Sequence, residues 1–329
     1  MGGVVRVGAR TVKIGIDINV KGLGVAFTCY DHETMARVYR VVKEYEEHLA
    51  KLRKYGIIVE YHPVVYTSKF VSLPLRLYIR NFKYPWDHLR SILEIWVRAH
   101  WREIRNWQRW NKPRYKRIKG RIKYIKPGKS IDYIVRRSIE PGETKRVIRE
   151  VFRKYKLGYR IENRMAEELA FIVHEHEREW LKQYKMRVGL MITKVCRIVS
   201  RIARDQEITR VVVKLEELRG IEKKYKINVK LKRMRWRSIT RSVCIGVTKG
   251  VEVGLVDPGG TSSECPICRN RLKSYGWERK YCPVCRREWN RDAIAGVLIS
   301  IKPVKVWLKT PMKVKTRGGV MKKNITTEK

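Results

Sequence analysis

The chain has 329 residues, 43% of them hydrophobic, which is enough to bury a core in one large domain or two ordinary ones and excludes global disorder. Its 76 Lys and Arg stand against 32 Asp and Glu, a formal charge of +44 that repels itself unless a polyanion binds, so nucleic acid is the expected partner. No apolar run is long enough to span a membrane and Met1 to Arg10 lacks the apolar core of a secretory signal, so the sequence points to a cytoplasmic protein without a membrane partner.

Val12 to Asp17 alternates apolar with other residues, Asn19 to Gly22 reads as a turn, and Leu23 to Tyr30 resumes an apolar run: a strand, a turn and a strand. Glu33 to Tyr55 is charged and helix-like, and Gly56 to Val65 returns to β-branched residues. Leu89, Ile92, Leu93, Trp96, Val97, Trp101 and Ile104 recur at helical spacing within Asp87 to Gln108. Trp107 to Lys129 is dense in Arg, Lys, Trp and Tyr and reads as a solvated or phosphate-contacting segment. Trp107, Arg109, Trp110, Arg114, Lys116 and Arg117 are the candidates there for stacking on bases and meeting phosphates, while Trp96 and Trp101 read as core.

A long helix is expected from about Ile161 to Arg204, then a compact strand at Val211 to Leu215. Glu222 to Arg241 is again strongly basic and supplies Arg233 and Arg235 as further nucleic-acid candidates. Val251 to Val256 gives one more strand. A last helix starts near Asn290, whose side chain suits a cap, and runs to Pro303, followed by a basic tail expected to be disordered at 309–329.

Four of the seven cysteines form two CxxC pairs, Cys265 with Cys268 and Cys282 with Cys285, thirteen residues apart. Each CxxC turn can present two thiolates to one tetrahedral ion, and the intervening segment can form the hairpin of a zinc ribbon. Four sulfurs leave no open position, so this Zn²⁺ would be structural and any chemistry would lie elsewhere. Arg269, Arg271, Lys273, Arg279, Lys280, Arg286 and Arg287 surround the cysteines as a surface that is either solvated or in contact with nucleic acid.

Asp17, Glu216 and Asp292 each end or begin a predicted element in apolar or basic surroundings. Carboxylates so placed can converge on two Mg²⁺ or Mn²⁺ ions for phosphodiester hydrolysis. Taken singly, each also suits a turn former or a partner of a helix dipole. Alternation does not decide between Glu216 and its neighbour Glu217. The seven His residues form no ligand or triad pattern, and no phosphate-binding loop is present.

Ile14-Gly15-Ile16-Asp17-Ile18-Asn19, Val211 to Leu218, and Asn290-Arg291-Asp292 with Ala293 and Ala295 resemble the three RuvC motifs of the TnpB family of transposon-encoded nucleases, relatives of type V CRISPR effectors. Gly250 to Cys268, with Thr261 and Ser262, is similar to the strand that leads into that family's zinc ribbon. The resemblance implies an α/β, RNase H-like (RuvC) core, a mixed sheet flanked by helices with an inserted four-cysteine zinc ribbon. It implies a metal-dependent DNA endonuclease with Asp17, Glu216 and Asp292 as catalytic residues; which of the nearby Lys21, Arg219 and Arg291 holds the strand stays open in the sequence.

The expected division is 1–30 and 161–260 as two parts of the core, 31–160 as a basic, helix-rich insertion or remodelled region, 261–289 as the ribbon and 290–308 as the last core helix. Family members carry a long N-terminal region that holds a guide RNA, whereas here the core begins almost at Met1. The resemblance implies DNA and a guide RNA as partners; the region that would hold the RNA is expected on a separate chain, lost from a degraded element, or excluded by a misplaced start. The rival expectation is a catalytically silent or partner-dependent nucleic-acid-binding zinc-ribbon protein.

Overall fold

The computed structural model describes residues 10–19, 21–112, 114–125, 127–136, 138, 141–217, 242–244, 246–247, 250–276 and 278–308. Arg219, Arg233, Arg235 and the expected tail lie outside the described residues.

In chain order the elements are β1 (Thr11–Ile18), β2 (Gly22–Cys29), α1 (His32–Glu44), α2 (Glu46–Ala50), a 3-10 turn (Lys51–Tyr55), β3 (Ile57–Tyr61), β4 (Val65–Tyr66) and β5 (Val71–Ile79). Then come α3 (Pro85–Trp110), β6 (Arg114–Ile118), β7 (Arg121–Ile125), β8 (Lys129–Ser130), α4 (Ile131–Val135), α5 (Pro141–Lys154), β9 (Arg160–Ile161) and α6 (Asn163–Ile202). The remainder are β10 (Arg210–Glu216), β11 (Glu252–Val256), β12 (Lys273–Tyr275), β13 (Arg279–Cys282), β14 (Arg287–Asn290), α7 (Arg291–Ile301) and β15 (Val306–Leu308). Two units emerge among the described residues, one of residues 81–185 and one of the segments before and after it.

The larger unit is built on one sheet of order β15-β11-β10-β1-β2-β5-β3, with β4 paired to β5. β1, β2 and β5 run antiparallel in turn, while β10 lies parallel to β1 and β11 parallel to β10. That is a mixed α/β sheet, the kind expected of an RNase H-like core. The hairpin between β1 and β2 closes on Asn19, whose side-chain oxygen accepts from the amides of Lys21 (2.8 Å) and Gly22 (3.0 Å).

Side chains alternate across this sheet, and the two sets differ in chemistry. Val12, Ile14 and Ile16 of β1 share a set with Val211, Val213 and Leu215 of β10, all buried. Each fully buried side chain of this kind contributes about 1.5–3 kcal/mol. The opposite set contains Gly15 and Gly24, and α7 lies directly on them. A Cβ at Gly15 would overlap the carbonyl oxygen of Gly296, and one at Gly24 that of Asp292, so only glycine lets the helix approach. The buried Thr28 hydroxyl, 2.8 Å from Ser72 and 2.6 Å from Ser300, fixes the far end of α7 against β2 and β5.

The smaller unit has its own core. Leu89, Leu93, Trp96 and Ile104 of α3 pack with Val147, Val151 and Phe152 of α5 and with Met165 and Leu169 of α6. The Trp96 indole donates to Glu168 at 2.9 Å, the usual provision for a buried Trp. The expected insertion at 31–160 thus divides. β3 and β5 at 57–79 are strands of the central sheet, and the separate unit begins only after them. The basic segment after Trp107 contains the β6–β7 hairpin.

Candidate carboxylate site and cysteine cluster

Parallel pairing of β1 with β10, Ile16 opposite Leu215, carries Asp17 and Glu216 to adjoining strand ends. The third carboxylate arrives on α7. Asn290 caps that helix, its side-chain oxygen accepting from the amides of Asp292 (3.0 Å) and Ala293 (3.2 Å), so Asp292 sits in the first turn. Gly24 pairs with Asp17 across the β1–β2 ladder and faces the Asp292 backbone, which brings the helix start beside the strand end.

Asp17 is buried, and its carboxyl is pushed well above the ordinary carboxylate range, by burial first and then by the charges of Glu216 and Asp292. Arg291 and a hydrogen bond from Asn19 pull the other way. Burial also raises Glu216, opposed by a hydrogen bond from Thr261 and the charges of Lys302 and Arg291. Three mutually repelling acids in a partly buried site favour binding a cation, and their donors are hard oxygens. Among the described residues no trio of carboxylates comes within the 4.8 Å that encloses the four cysteine sulfurs.

The two neighbouring glutamates differ in their partners. Glu216 lies with Thr261 and Asp17, whereas Glu217 pairs with Lys305 at 3.0 Å. Thr261 also contacts the Pro258 carbonyl at 2.9 Å, and Lys302 holds this loop by donating to the carbonyls of Asp257 (2.9 Å) and Gly259. The buried Lys214 amine in turn donates to the Lys302 carbonyl. Burial first, then Lys13 and Arg210, lower Lys214 to about 8.

Sequence reasoning missed Arg76, which β5 places opposite Gly24. It is 5% exposed and reaches three acids: Asp292 at 3.2 Å through Nε, Glu278 of the ribbon segment at 3.1 Å and Glu60 at 3.5 Å. The Nε is not aligned for a hydrogen bond, so its contact with Asp292 is an ion pair. Burial works against the Arg76 charge, but the Glu278 hydrogen bond and the nearby carboxylates outweigh it and raise its pKa. Glu278 also accepts from Lys21 at 3.0 Å. His62 stands in the same field, its Nε2 buried without a hydrogen-bond partner. Burial holds its imidazole below the usual range, with Glu60 and Asp292 opposing and Arg76 assisting.

The four cysteines converge at the base of the β12–β13–β14 sheet. Their sulfurs lie within 4.8 Å of one another, Cys265 to Cys285 at 3.8 Å and Cys268 to Cys282 at 3.4 Å. Each CxxC is followed by an arginine in the left-handed region, Arg269 (φ 64°) and Arg286 (φ 51°), which folds the chain back. The amide of Cys285 donates to the Cys282 sulfur at 3.3 Å, a contact that supports a thiolate. The donor set, spacing and closed geometry fit one metal ion. Ile267 and Trp289 pack with the buried Leu272 and Ile294 and so seat the ribbon on α7.

The nucleic-acid candidates scatter. Trp110 is 75% exposed with the Arg109 guanidinium 5.8 Å from its ring. Lys116 and Arg117 are exposed on the β6–β7 hairpin, which also holds Arg114. Trp107 is half-buried, its ring occupying the space beside Gly128, so it serves packing more than contact. Trp96 is core and Trp101 packs against it.

Residues 245–299 match the family described as Cas12f1-like, TNB domain, which relates the chain to TnpB and type V effector proteins. No curated protein matches. A solved structure described as the mini-RNA-guided endonuclease CRISPR-Cas_phi3 is similar over 90% of this chain and 46% of its own, at 14% identity and a TM-score of 0.36. The chain thus spans less than half the length of that protein. No helix among the described residues is long and apolar enough to cross a membrane.

Proposed function

We propose that this chain, related to TnpB and type V effectors, is a metal-dependent DNA endonuclease of the TnpB type. Asp17, Glu216 and Asp292 hold Mg²⁺ or Mn²⁺, and Cys265, Cys268, Cys282 and Cys285 hold a structural Zn²⁺. The observation that carries the reading is the crowding of three carboxylates at one end of the sheet, where burial and mutual repulsion raise Asp17.

Divalent cations in such a site neutralise charge on a phosphate and acidify water, worth several kcal/mol at the transition state. The chain's own residues prepare the place. Arg76 and Arg291 orient Asp292 at 3.2 and 3.3 Å, and Thr261 orients Glu216. A net charge of +44 holds the DNA against them.

The test is cleavage of labelled single- and double-stranded DNA in Mg²⁺ or Mn²⁺, with and without RNA co-expressed from flanking DNA, beside Asp17→Ala. Cleavage is expected to fall on the order of 10³-fold in the variant. Folded, zinc-loaded protein that cuts under none of these conditions would sink the proposal and leave a nucleic-acid-binding zinc-ribbon protein.

A further inference from the structure

The last turns of α6 carry a basic stripe that the carboxylate site does not use. Lys194, Arg197 and Arg201, with Arg204 just beyond the helix, follow at intervals of three and four residues and so share one side. At 1.5 Å per residue the helical part, Lys194 to Arg201, is about 10 Å long, with steps of about 4.5–6 Å, and Arg204 lies just past its end. Successive phosphates along an extended nucleic-acid strand are spaced comparably.

Two further observations mark it as a place for an anion. A cavity of about 270 Å³ opens on the stripe, lined by Tyr45, Arg197, Ser200, Arg201 and Arg204, with a mainly polar wall. Lys51 and Lys54 of the 3-10 turn crowd the same region: burial first, then Arg197, Lys51 and Lys54, push the Lys194 ammonium down. Among the described residues Glu44, 3.7 Å from Arg201, is the acid within ion-pair distance of the stripe. Asp205 alongside is engaged with Arg37 at 3.9 Å. Gathering like charges with so little compensation costs free energy that a polyanion would return.

We propose that Lys194, Arg197, Arg201 and Arg204, with the cavity beside them, bind the phosphodiester backbone of a nucleic-acid strand. This surface shares no residue with the carboxylate network. It grips a strand without cutting it, and its guanidinium and ammonium groups suit phosphate oxygens, whose contacts position a strand without reading its sequence.

The full-length protein, kept free of Mg²⁺ and Mn²⁺, would be titrated into fluorescein-labelled single-stranded DNA, RNA and duplex DNA of one sequence over a range of salt. Anisotropy would be compared between wild type and a variant carrying Lys194→Gln, Arg197→Gln, Arg201→Gln and Arg204→Gln. A charge-matched control carries Arg40→Gln, Lys69→Gln, Arg80→Gln and Lys185→Gln, all at exposed positions. Circular dichroism and thermal melts establish that each is folded. The stripe variant is expected to lose on the order of tenfold or more in affinity and to lower the salt slope by about 2–3, since each single-strand phosphate contact contributes about 0.7. A loss beyond the control in one arm alone identifies the strand that the stripe holds. A loss no greater than the control in all three arms overturns the proposal.

Discussion

The four cysteines fall between residues 265 and 285, and two CxxC turns plus one hairpin suffice to gather them. The three carboxylates come from residues 17, 216 and 292 and meet only when β1 has paired with β10 and α7 has settled on Gly15 and Gly24. The thiols are gathered by local chain folding, so an ion held there, as proposed, would stabilise little beyond the ribbon. The carboxylates are held together by the whole sheet against their own repulsion, with Arg76 as an internal counter-ion. On the proposed reading one centre would stabilise its surroundings, while the other draws on the stability of the core.

The largest effect is expected from Cys265→Ser with Cys282→Ser, which removes the two buried sulfurs. Structural zinc supplies on the order of 10 kcal/mol in small metal-dependent folds. Bound zinc should fall to none by elemental analysis, and amide exchange should lose protection across β12 to β14 while β1, β2 and β10 keep theirs. Collapse of the central sheet together with the ribbon would contradict the separation drawn above.

That contrast also governs what could be read in the sequence. The CxxC spacing is local chemistry and announces its cluster directly. β1, β2, β10 and the Asn290 cap were legible because each follows a short-range rule, either apolar alternation or a capping residue. β5 was not, because Pro74 and Arg76 interrupt Val71–Ile79 where an apolar strand should be unbroken. Arg76 reads as a surface residue, and only strand pairing shows it buried between Asp292, Glu60 and Glu278. The different partners of Glu216 and Glu217 are likewise tertiary contacts that alternation alone does not name.

Arg76→Met should come next in size. It leaves Arg291 as the remaining counter-ion of the buried Asp292, and breaking one side of a buried pair costs up to about 3–5 kcal/mol. Urea unfolding measures the loss. Millimolar Mg²⁺ should recover part of it in the variant, because the cation takes over the missing positive charge. A variant as stable as wild type without Mg²⁺ would remove Arg76 from the account of how the acids are held.

Asp17→Asn should act in the opposite direction and more weakly. As pH rises past 3.8 the unfolded chain ionises Asp17 first, while the folded chain, with its raised value, keeps the proton. The folded state then binds more protons, so stability falls with rising pH until Asp17 ionises there too. The substitution should flatten that segment of the pH profile and raise the neutral-pH Tm by about 2–4 °C for each kcal/mol relieved. Divalent ions should stabilise wild type and not the variant. A lower Tm for Asp17→Asn at neutral pH would mean that the crowding carries no penalty.

The smallest effect concerns Thr261, whose hydroxyl joins the Glu216 carboxylate to the loop at Pro258. Thr261→Val keeps the shape and deletes the donor, at a net cost of about 1 kcal/mol. Because the hydrogen bond lowers Glu216 against the upward push of burial, its loss should raise that carboxyl further. Mn²⁺ binding followed by electron paramagnetic resonance should then weaken most on the acid side of neutrality and approach wild type in alkali, where Glu216 is ionised in both proteins. Thr261→Ser, which retains the hydroxyl, should bind like wild type throughout. Equal weakening by Val and Ser would assign Thr261 to packing alone, and would leave Glu216 positioned by its strand and not by its neighbour.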